Sequence, residues 1–276
     1  MRVLYFILSH SIFIAVCAAA LTFQTALLLK VDINLFVYGF IFFATLCSYN
    51  FYWIVSKASF TKGGNIASFL MKEKTGLLIL SIAAVGVLGC LIKSPLPFEF
   101  VFTSLLLTCL YALPLFPFKP FNLMRKAGVL KTFLLAFTWA YVTVFIPLQK
   151  SYLLLSHAEL FVFTRRFLFM LMLCIIFDNR DKAVDKIRGL QSLATVLKPA
   201  HLRIFIYLIF VILFATNFLY RHYGITFGQS VALHISTIAL LAVYFYSLKK
   251  RSYLFYYFFV DGMMLFSAIA TYLAGI

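Results

Sequence analysis

Apolar residues fill long stretches of this chain, and polar residues fall between them. Nine stretches are long enough for a helix that crosses a bilayer, which takes about 20 residues. Their approximate limits are 5–29, 34–56, 75–93, 97–116, 130–148, 160–178, 202–220, 228–247 and 253–275. The seven prolines lie at or near the ends of these stretches, where proline is tolerated. The pattern predicts an all-α bundle of about nine transmembrane helices and argues against a barrel.

Composition supports a membrane protein rather than a soluble one. The 276 residues are 64% hydrophobic and 12% charged, whereas about a quarter of a soluble domain is charged. No stretch is polar and long enough for a separate soluble domain, so we expect a single transmembrane domain over 1–276. The N-terminus imitates a signal peptide, but its apolar stretch continues to Leu29, which favours a retained first helix. All five cysteines lie inside apolar stretches without a CxxC pair, which indicates neither a disulfide framework nor a metal site.

The charge balance is strongly basic, with 24 Lys and Arg against 8 Asp and Glu. These bases are spread between the apolar stretches, so they indicate topology and attraction to anionic lipids rather than nucleic-acid binding. With the N-terminus inside, 18 bases fall on the cytoplasmic side. Six fall on the opposite side, namely Lys30, Lys93, Lys150, Arg165, Arg166 and Arg221. We therefore expect a multi-pass protein of a bacterial inner membrane with a cytoplasmic N-terminus and functional face.

Three of the eight acidic residues stand within eight positions, at Asp178, Asp181 and Asp185. If the preceding helix continues through them, steps of three and four residues place all three on one face. Like charges at this spacing repel, so a cation is expected to hold them together. Mg²⁺ takes one or two carboxylates and completes its shell with water and phosphate oxygens. A solvated helix end with pairs such as Asp178–Lys182 is the alternative.

The run DNRDKAVDKIRGLQSLATVL resembles the second aspartate-rich motif of the UbiA-type intramembrane prenyltransferases. In that family a DxxDxxxD run is followed by a basic residue, a glycine and a Ser/Thr-Leu turn. The matching positions here are Asp178, Asp181, Asp185, Lys186, Gly189, Ser192 and Leu193. The nine helices, the orientation and the stretches YALPLFPFKP and KTFLLAFTWA are also similar to the family. The resemblance implies a UbiA-like fold.

The family's first motif, NxxxDxxxD, is only partly present. The corresponding stretch reads SYNFYWIVSKAS, in which Asn50 matches while Ile54 and Ala58 replace the two aspartates. The resemblance implies that Asn50 joins the three aspartates in binding Mg²⁺. A helix cap or an interhelical hydrogen bond is an equally open interpretation of Asn50.

Basic residues near the cluster are candidates for binding a diphosphate. They are Lys119, Lys131, Arg180 and Lys186. Lys119 follows Tyr111 and Pro114 at the expected cytoplasmic mouth, although a topology-setting lysine is an equal alternative for it. Arg180 and Lys186 lie within the aspartate run itself.

A single acid, Asp261, stands well inside the last apolar stretch. An acid at that depth is costly and is a functional candidate by default. The alternative is a structural pair with a polar group on a neighbouring helix, for which His10 is one candidate.

The resemblance implies transfer of a prenyl group from a polyprenyl diphosphate to a lipophilic acceptor such as a quinone precursor. Mg²⁺ and basic residues would polarise the diphosphate, the allylic C–O bond would ionise, and the acceptor would attack the cation. A non-catalytic relative that binds an isoprenoid lipid or a membrane partner is the second hypothesis, and the degenerate first motif favours it. A transporter is the third, although transporters place ionisable groups near the midplane rather than at one face.

Overall fold

The computed structural model describes residues 2–58, 73–94, 96–112, 128–150, 154–188 and 191–276. Every regular element in these ranges is helical, so the predicted all-α class is confirmed for them. The helices are α1 (Arg2–Ser9), α2 (Ile12–Leu29), α3 (Leu35–Ala58), α4 (Lys74–Lys93), α5 (Phe98–Ala112), α6 (Gly128–Ala140), α7 (His157–Arg188), α8 (Leu193–Val196), α9 (Pro199–Thr216), α10 (Phe227–Ser247) and α11 (Asp261–Leu273).

Three helices change their pitch at one end. A π-helical segment, Tyr141–Phe145, extends α6 to Leu148, and a second one, Phe255–Val260, leads directly into α11. A 3₁₀ segment, Asn217–Tyr223, follows α9. Short π segments, in which hydrogen bonds join residues five apart, often occur at functional sites. The π segment Phe255–Val260 ends immediately before Asp261.

Eight helices, counted with these extensions, are long and apolar enough to cross a bilayer within the described part of the chain. By length and composition the chain is therefore a multi-pass membrane protein. The predicted fourth span is shorter than expected, because α5 has 15 residues and thus a length of about 22 Å. The end of that predicted span, 113–116, lies outside the described residues.

The first predicted span is not one continuous helix. The structure breaks it into α1 and α2 at Ser11, whose φ of 62° lies in the left-handed region. Ser9, His10 and Ser11 interrupt the apolar stretch at this point, but three polar residues alone do not predict a break in a helix. The fifth span ends at Leu148, one residue after Pro147, which agrees with the position predicted from that proline.

Helix α7 lies at the centre of the bundle. It packs against α2, α6, α8, α9 and α10, and residues 169–176 are all buried. A helix that is apolar all round is expected in such a position. With 32 residues, α7 is about 48 Å long and so reaches both ends of the bundle.

Helices α3 and α4 approach each other closely at glycine. A Cβ atom added to Gly86 would lie 2.5 Å from the ring of Phe43 on α3, and one added to Gly39 would lie 2.9 Å from Cys90 Sγ on α4. The absence of side chains at these two positions permits the tight contact, as small residues commonly do in membrane helix pairs.

Two arginines that the charge count assigned to one side of the membrane lie inside the bundle instead. Arg165 is 8% exposed and Arg166 is 4% exposed, both about two turns into α7. Counting them as topology-setting residues of a connection was therefore wrong. The count could not detect this because it uses position along the chain and contains no information about burial.

Candidate functional site

The aspartate run lies on an unbroken helix. Since α7 continues to Arg188, all three aspartates lie on one helix, which is the condition under which their spacing places them on one face. The three carboxylates differ in their surroundings. Asp185 is buried at 6% exposure, Asp178 is half-buried, and the side chain of Asp181 is 43% exposed. We call the end of the bundle that contains these three residues the aspartate end.

Asp178 is fixed to the neighbouring helix α6. The Thr132 hydroxyl, which is almost fully buried, donates a hydrogen bond of 2.5 Å to Asp178 Oδ2. A hydrogen bond to a charged carboxylate is short and strong compared with one between neutral groups. This contact places the start of α6 beside the end of α7.

Lys131, the residue before Thr132, faces the same carboxylates. Its ammonium interacts electrostatically with Asp178, Asp181 and Asp185, and it lies 5.6 Å from the centroid of the Tyr111 ring. Lys131, a predicted phosphate-binding residue on α6, therefore lies within electrostatic range of three of the four predicted metal ligands, all of them on α7.

Arg180 forms the closest ion pair of the site. Its Nε and Nη2 atoms donate to the two carboxylate oxygens of Asp181, each over 2.7 Å, in the bidentate arrangement that suits a guanidinium. The rings of Phe177, Tyr256 and Tyr257 surround the guanidinium with centroids 4.8, 5.2 and 5.0 Å from Cζ. Such cation–π contacts stabilise the positive charge and connect α7 to the π segment before α11.

Asn50 is engaged in hydrogen bonds at a helix crossing. Its Nδ2 atom donates to His10 O over 3.0 Å and to Leu46 O over 2.8 Å, and the side chain is buried. Asn50 therefore forms the hydrogen bond between segments of the bundle that was the alternative to a metal-binding role. A role of Asn50 as a metal ligand stays a prediction.

The other two predicted phosphate-binding residues, Lys186 and Lys119, have no described contact with the aspartates. Lys186 is exposed at the surface of α7. Lys119 lies outside the described residues, as does most of the compared stretch YALPLFPFKP, whereas the stretch KTFLLAFTWA forms part of α6.

No three His, Cys, Asp or Glu side chains converge closely enough to hold a metal ion in the described ranges. The carboxylates have the chemistry that Mg²⁺ prefers, but both oxygens of Asp181 are occupied by Arg180. In this arrangement the described residues do not form a Mg²⁺ site, and Asp181 is closed to a cation while Arg180 holds both of its oxygens. The predicted Mg²⁺ stays a prediction.

A small cavity lies deeper in the bundle, next to Phe177. Its volume of about 30 Å³ leaves room for one or two water molecules. Its lining includes Tyr49, Trp139, Cys174 and Asp261. Trp139 Nε1 donates to the Tyr49 hydroxyl over 3.3 Å, so the polar edges of this lining face each other.

Asp261 is buried at 5% exposure at the start of α11. Within the described part of the chain no hydrogen bond to its carboxylate is found, and its electrostatic neighbour is Arg180. The suggested partner His10 is not beside it, because the His10 ring bonds to Phe6 O and Ser9 Oγ. The structure shows no pair between Asp261 and His10, and Arg180 interacts with both Asp181 and Asp261.

Several residues of the site could not be selected from the sequence. Thr132 is one of many threonines and carries no motif of its own. Phe177, Tyr256 and Tyr257 belong to a chain with 34 phenylalanines and 16 tyrosines, among which an aromatic cage has no distinguishing pattern. The one available signal was proximity along the chain, since Phe177 directly precedes the aspartate run.

The fold and the site together define a multi-pass helical membrane protein with an acid–base cluster at one end of its bundle. Comparison with known proteins adds no family, since no family model matches the chain and neither a curated protein nor a solved structure does.

Proposed function

We propose that the chain is a UbiA-like prenyltransferase, which moves a prenyl group from a polyprenyl diphosphate to a lipophilic acceptor with Mg²⁺. The observations that carry this proposal are the ion pair of Arg180 with Asp181 and the electrostatic interaction of Lys131 with Asp178, Asp181 and Asp185 at the aspartate end. Acids that can bind a divalent cation and bases that can bind phosphate oxygens are the two halves of a diphosphate site.

The Arg180–Asp181 pair suggests how the site accepts its ligand. Mg²⁺ would supply positive charge to the departing diphosphate. Arg180 exchanges the Asp181 carboxylate for a phosphate oxygen, which frees Asp181 for the cation. Phe177, Tyr256 and Tyr257 keep the guanidinium between their rings during this exchange, because cation–π attraction does not depend on which anion it faces.

The remaining parts of the proposal follow from the same assignment. Lys119 and Lys186 contribute further positive charge at the mouth, and Asn50 offers its side-chain carbonyl oxygen to the cation while its amide nitrogen keeps donating to His10 O and Leu46 O. The acceptor is of the quinone-precursor kind, and anionic lipids surround the basic loops. The protein lies in a bacterial inner membrane, and its aspartate end faces the cytoplasm.

A non-catalytic relative of the same fold, which binds an isoprenoid lipid or a membrane partner, is the second candidate. Two observations favour it. The Asn50 amide is already bonded to His10 O and Leu46 O, and the cavity beside Asp261 has room for water rather than a prenyl chain, since ligand pockets are commonly several hundred Å³. A transporter would use the intramembrane charges Asp261, Arg165 and Arg166, but no symmetric repeat accompanies them.

Binding of geranylgeranyl diphosphate to the purified protein, with and without Mg²⁺, tests the proposal. We expect Mg²⁺-dependent binding that Asp181→Asn and Asp185→Asn each weaken about tenfold, which corresponds to about 1.4 kcal/mol. Asp32→Asn is the matched control, because this exposed aspartate lies before α3, far from the site. Equal binding by wild type and the two variants would contradict the proposal. Turnover with candidate acceptors then separates the enzyme from the non-catalytic relative.

A further inference from the structure

The opposite end of the bundle contains two adjacent buried arginines. Arg165 and Arg166 lie near the start of α7, at the end of the bundle where α9 passes into α10, and we call this the arginine end. Arg165 and Arg166 are 8% and 4% exposed, so little of either side chain reaches the surroundings of the bundle. A buried charge requires a counter-charge and complete hydrogen bonding to avoid a penalty of several kcal/mol per ion.

Arg166 satisfies its hydrogen bonds within the protein. Its Nη1 donates to Leu21 O and Thr143 Oγ1 over 2.9 and 3.3 Å, and its Nη2 donates to Gln24 Oε1 and Thr25 Oγ1 over 2.9 and 3.4 Å. All four acceptors are neutral. Arg166 is thus well bonded and fixed in place, while its positive charge stays uncompensated.

Arg165 is incompletely bonded. Its Nε donates to Asn217 Oδ1 over 2.8 Å, and in the described ranges its two Nη atoms form no hydrogen bond. Asn217, which is 1% exposed, has its own Nδ2 buried without an acceptor. Its backbone oxygen accepts from Ser230 Oγ over 2.8 Å, which fixes the residue against α10. Donors from two side chains that bond to each other therefore lack acceptors at the same place.

Acidic residues do not compensate these charges in the described part of the chain. The ion pairs found there are Lys57–Glu73, Lys150–Glu159 and Arg180–Asp181. Glu159, the nearest acid along α7, gives one oxygen to Lys150 and the other to the amide of Ser156. Arg165 and Arg166 instead repel each other.

We propose that Arg165 and Asn217 bind the phosphate of an anionic phospholipid. A guanidinium fork matches two oxygens of a phosphate, the oxyanion supplies the missing acceptors, and its charge compensates the arginine pair. The neighbours of Asn217 in the chain favour a lipid as the source, because Phe218 and Leu219 are 64% and 50% exposed and face the surroundings of the bundle. Basic pockets between transmembrane helices bind such headgroups in the same way.

The test compares the melting temperature of the full-length protein in phosphatidylcholine nanodiscs with and without phosphatidylglycerol. A ligand that binds the folded state raises Tm as its concentration increases, so we expect Tm of wild type to rise with the phosphatidylglycerol fraction. Arg165→Gln should lose most of this rise. Lys93→Gln, which removes an equal charge from an exposed lysine, should keep it. A rise in Arg165→Gln equal to that of wild type would overturn the proposal.

A second variant keeps the test decisive if Arg165→Gln does not fold. Asn217→Asp places a carboxylate against Arg165 Nε and removes the unbonded Nδ2, so the protein supplies its own counter-charge. We expect it to be more stable than wild type in phosphatidylcholine and insensitive to phosphatidylglycerol. Unchanged stability with a full lipid response would contradict the proposal. The last measurement is the melting temperature of detergent-solubilised protein with added inorganic phosphate. A rise in Tm equal to that caused by the lipid would assign the site to free phosphate instead.

Discussion

At the aspartate end of α7, three acids lie among Lys131 and Arg180, whereas at the arginine end Arg165 and Arg166 are surrounded by neutral groups. The first arrangement balances charge within the protein and leaves Asp181 partly open to solvent. The second fixes a positive charge in the interior without an acidic partner in the described part of the chain. The two ends differ because the guanidinium at the aspartate end is paired with a carboxylate, whereas only neutral groups accept hydrogen bonds from the guanidinium groups at the arginine end.

The largest difference between the two ends should appear on removal of Arg166. Arg166→Met leaves Gln24 Oε1 buried without a donor, at about 1–3 kcal/mol for such an unsatisfied group, and it also removes the hydrogen bonds to Leu21 O and Thr143 Oγ1. We expect the free energy of unfolding in detergent micelles to fall by about 3 kcal/mol. Lys93→Met is the exposed control at the same end. A loss within about 0.5 kcal/mol, which is usual for surface substitutions, would show that the network contributes little.

The next effect concerns the contact between α6 and α7 at the aspartate end. Thr132→Val removes the donor to Asp178 Oδ2 and should lower the unfolding free energy by about 1.5–3 kcal/mol, as expected for a hydrogen bond to a charged group. In an Asp178→Asn background the same substitution should cost less than half as much, because the charged acceptor is gone. Equal costs in both backgrounds, measured as a double-mutant cycle, would rule out coupling between these residues.

Exchange of partners at Arg180 predicts opposite changes in two affinities. Arg180→Gln frees Asp181, so Mg²⁺ alone should bind about tenfold more tightly, while geranylgeranyl diphosphate with Mg²⁺ should bind about tenfold more weakly. Calorimetric titrations measure both quantities. Arg251→Gln provides the control, because this arginine bonds to Tyr246 O away from the carboxylates. Parallel changes of both affinities would contradict an exchange of Asp181 between Arg180 and the cation.

The smallest effect is expected at Lys186. Since this side chain is exposed, Lys186→Gln should weaken diphosphate binding by about 0.5 kcal/mol, the usual size of an exposed charge contact. High salt should abolish the difference because it screens exposed charges. A loss that persists in high salt would instead mean that Lys186 becomes buried when the ligand binds.

Much of the fold could be predicted from the sequence, because each long apolar stretch implies a helix. The eight candidate spans coincide with predicted stretches to within a few residues, apart from the longer α7 and the first span, which begins at Ile12 instead of residue 5. The break at Ser11 was not predicted, because the three polar residues Ser9, His10 and Ser11 do not by themselves indicate the left-handed backbone of Ser11. The pitch changes at 141–145 and 255–260 have no compositional signal either, and they are decided by packing in the bundle.

The site was predictable where its residues lie on one helix. Spacing alone placed Asp178, Asp181 and Asp185 together, and α7 continues through them as required. Contacts between distant parts of the chain were not predictable, such as Thr132 with Asp178 or Arg180 with Tyr256 and Tyr257. These contacts depend on how the helices pack. Without knowledge of that packing, the sequence does not distinguish one aromatic residue from another.

The unbroken course of α7 has a mechanical consequence. Arg166 and Asp178 are separated by 12 residues and therefore by about 18 Å along the axis, and the helix between them is buried on every side at 169–176. Close-packed protein interiors have low compressibility, so α7 is rigid and fixes the distance between the two charged ends. In a thinner or thicker bilayer we expect the lipid chains around the protein to adjust their length, while this distance stays the same.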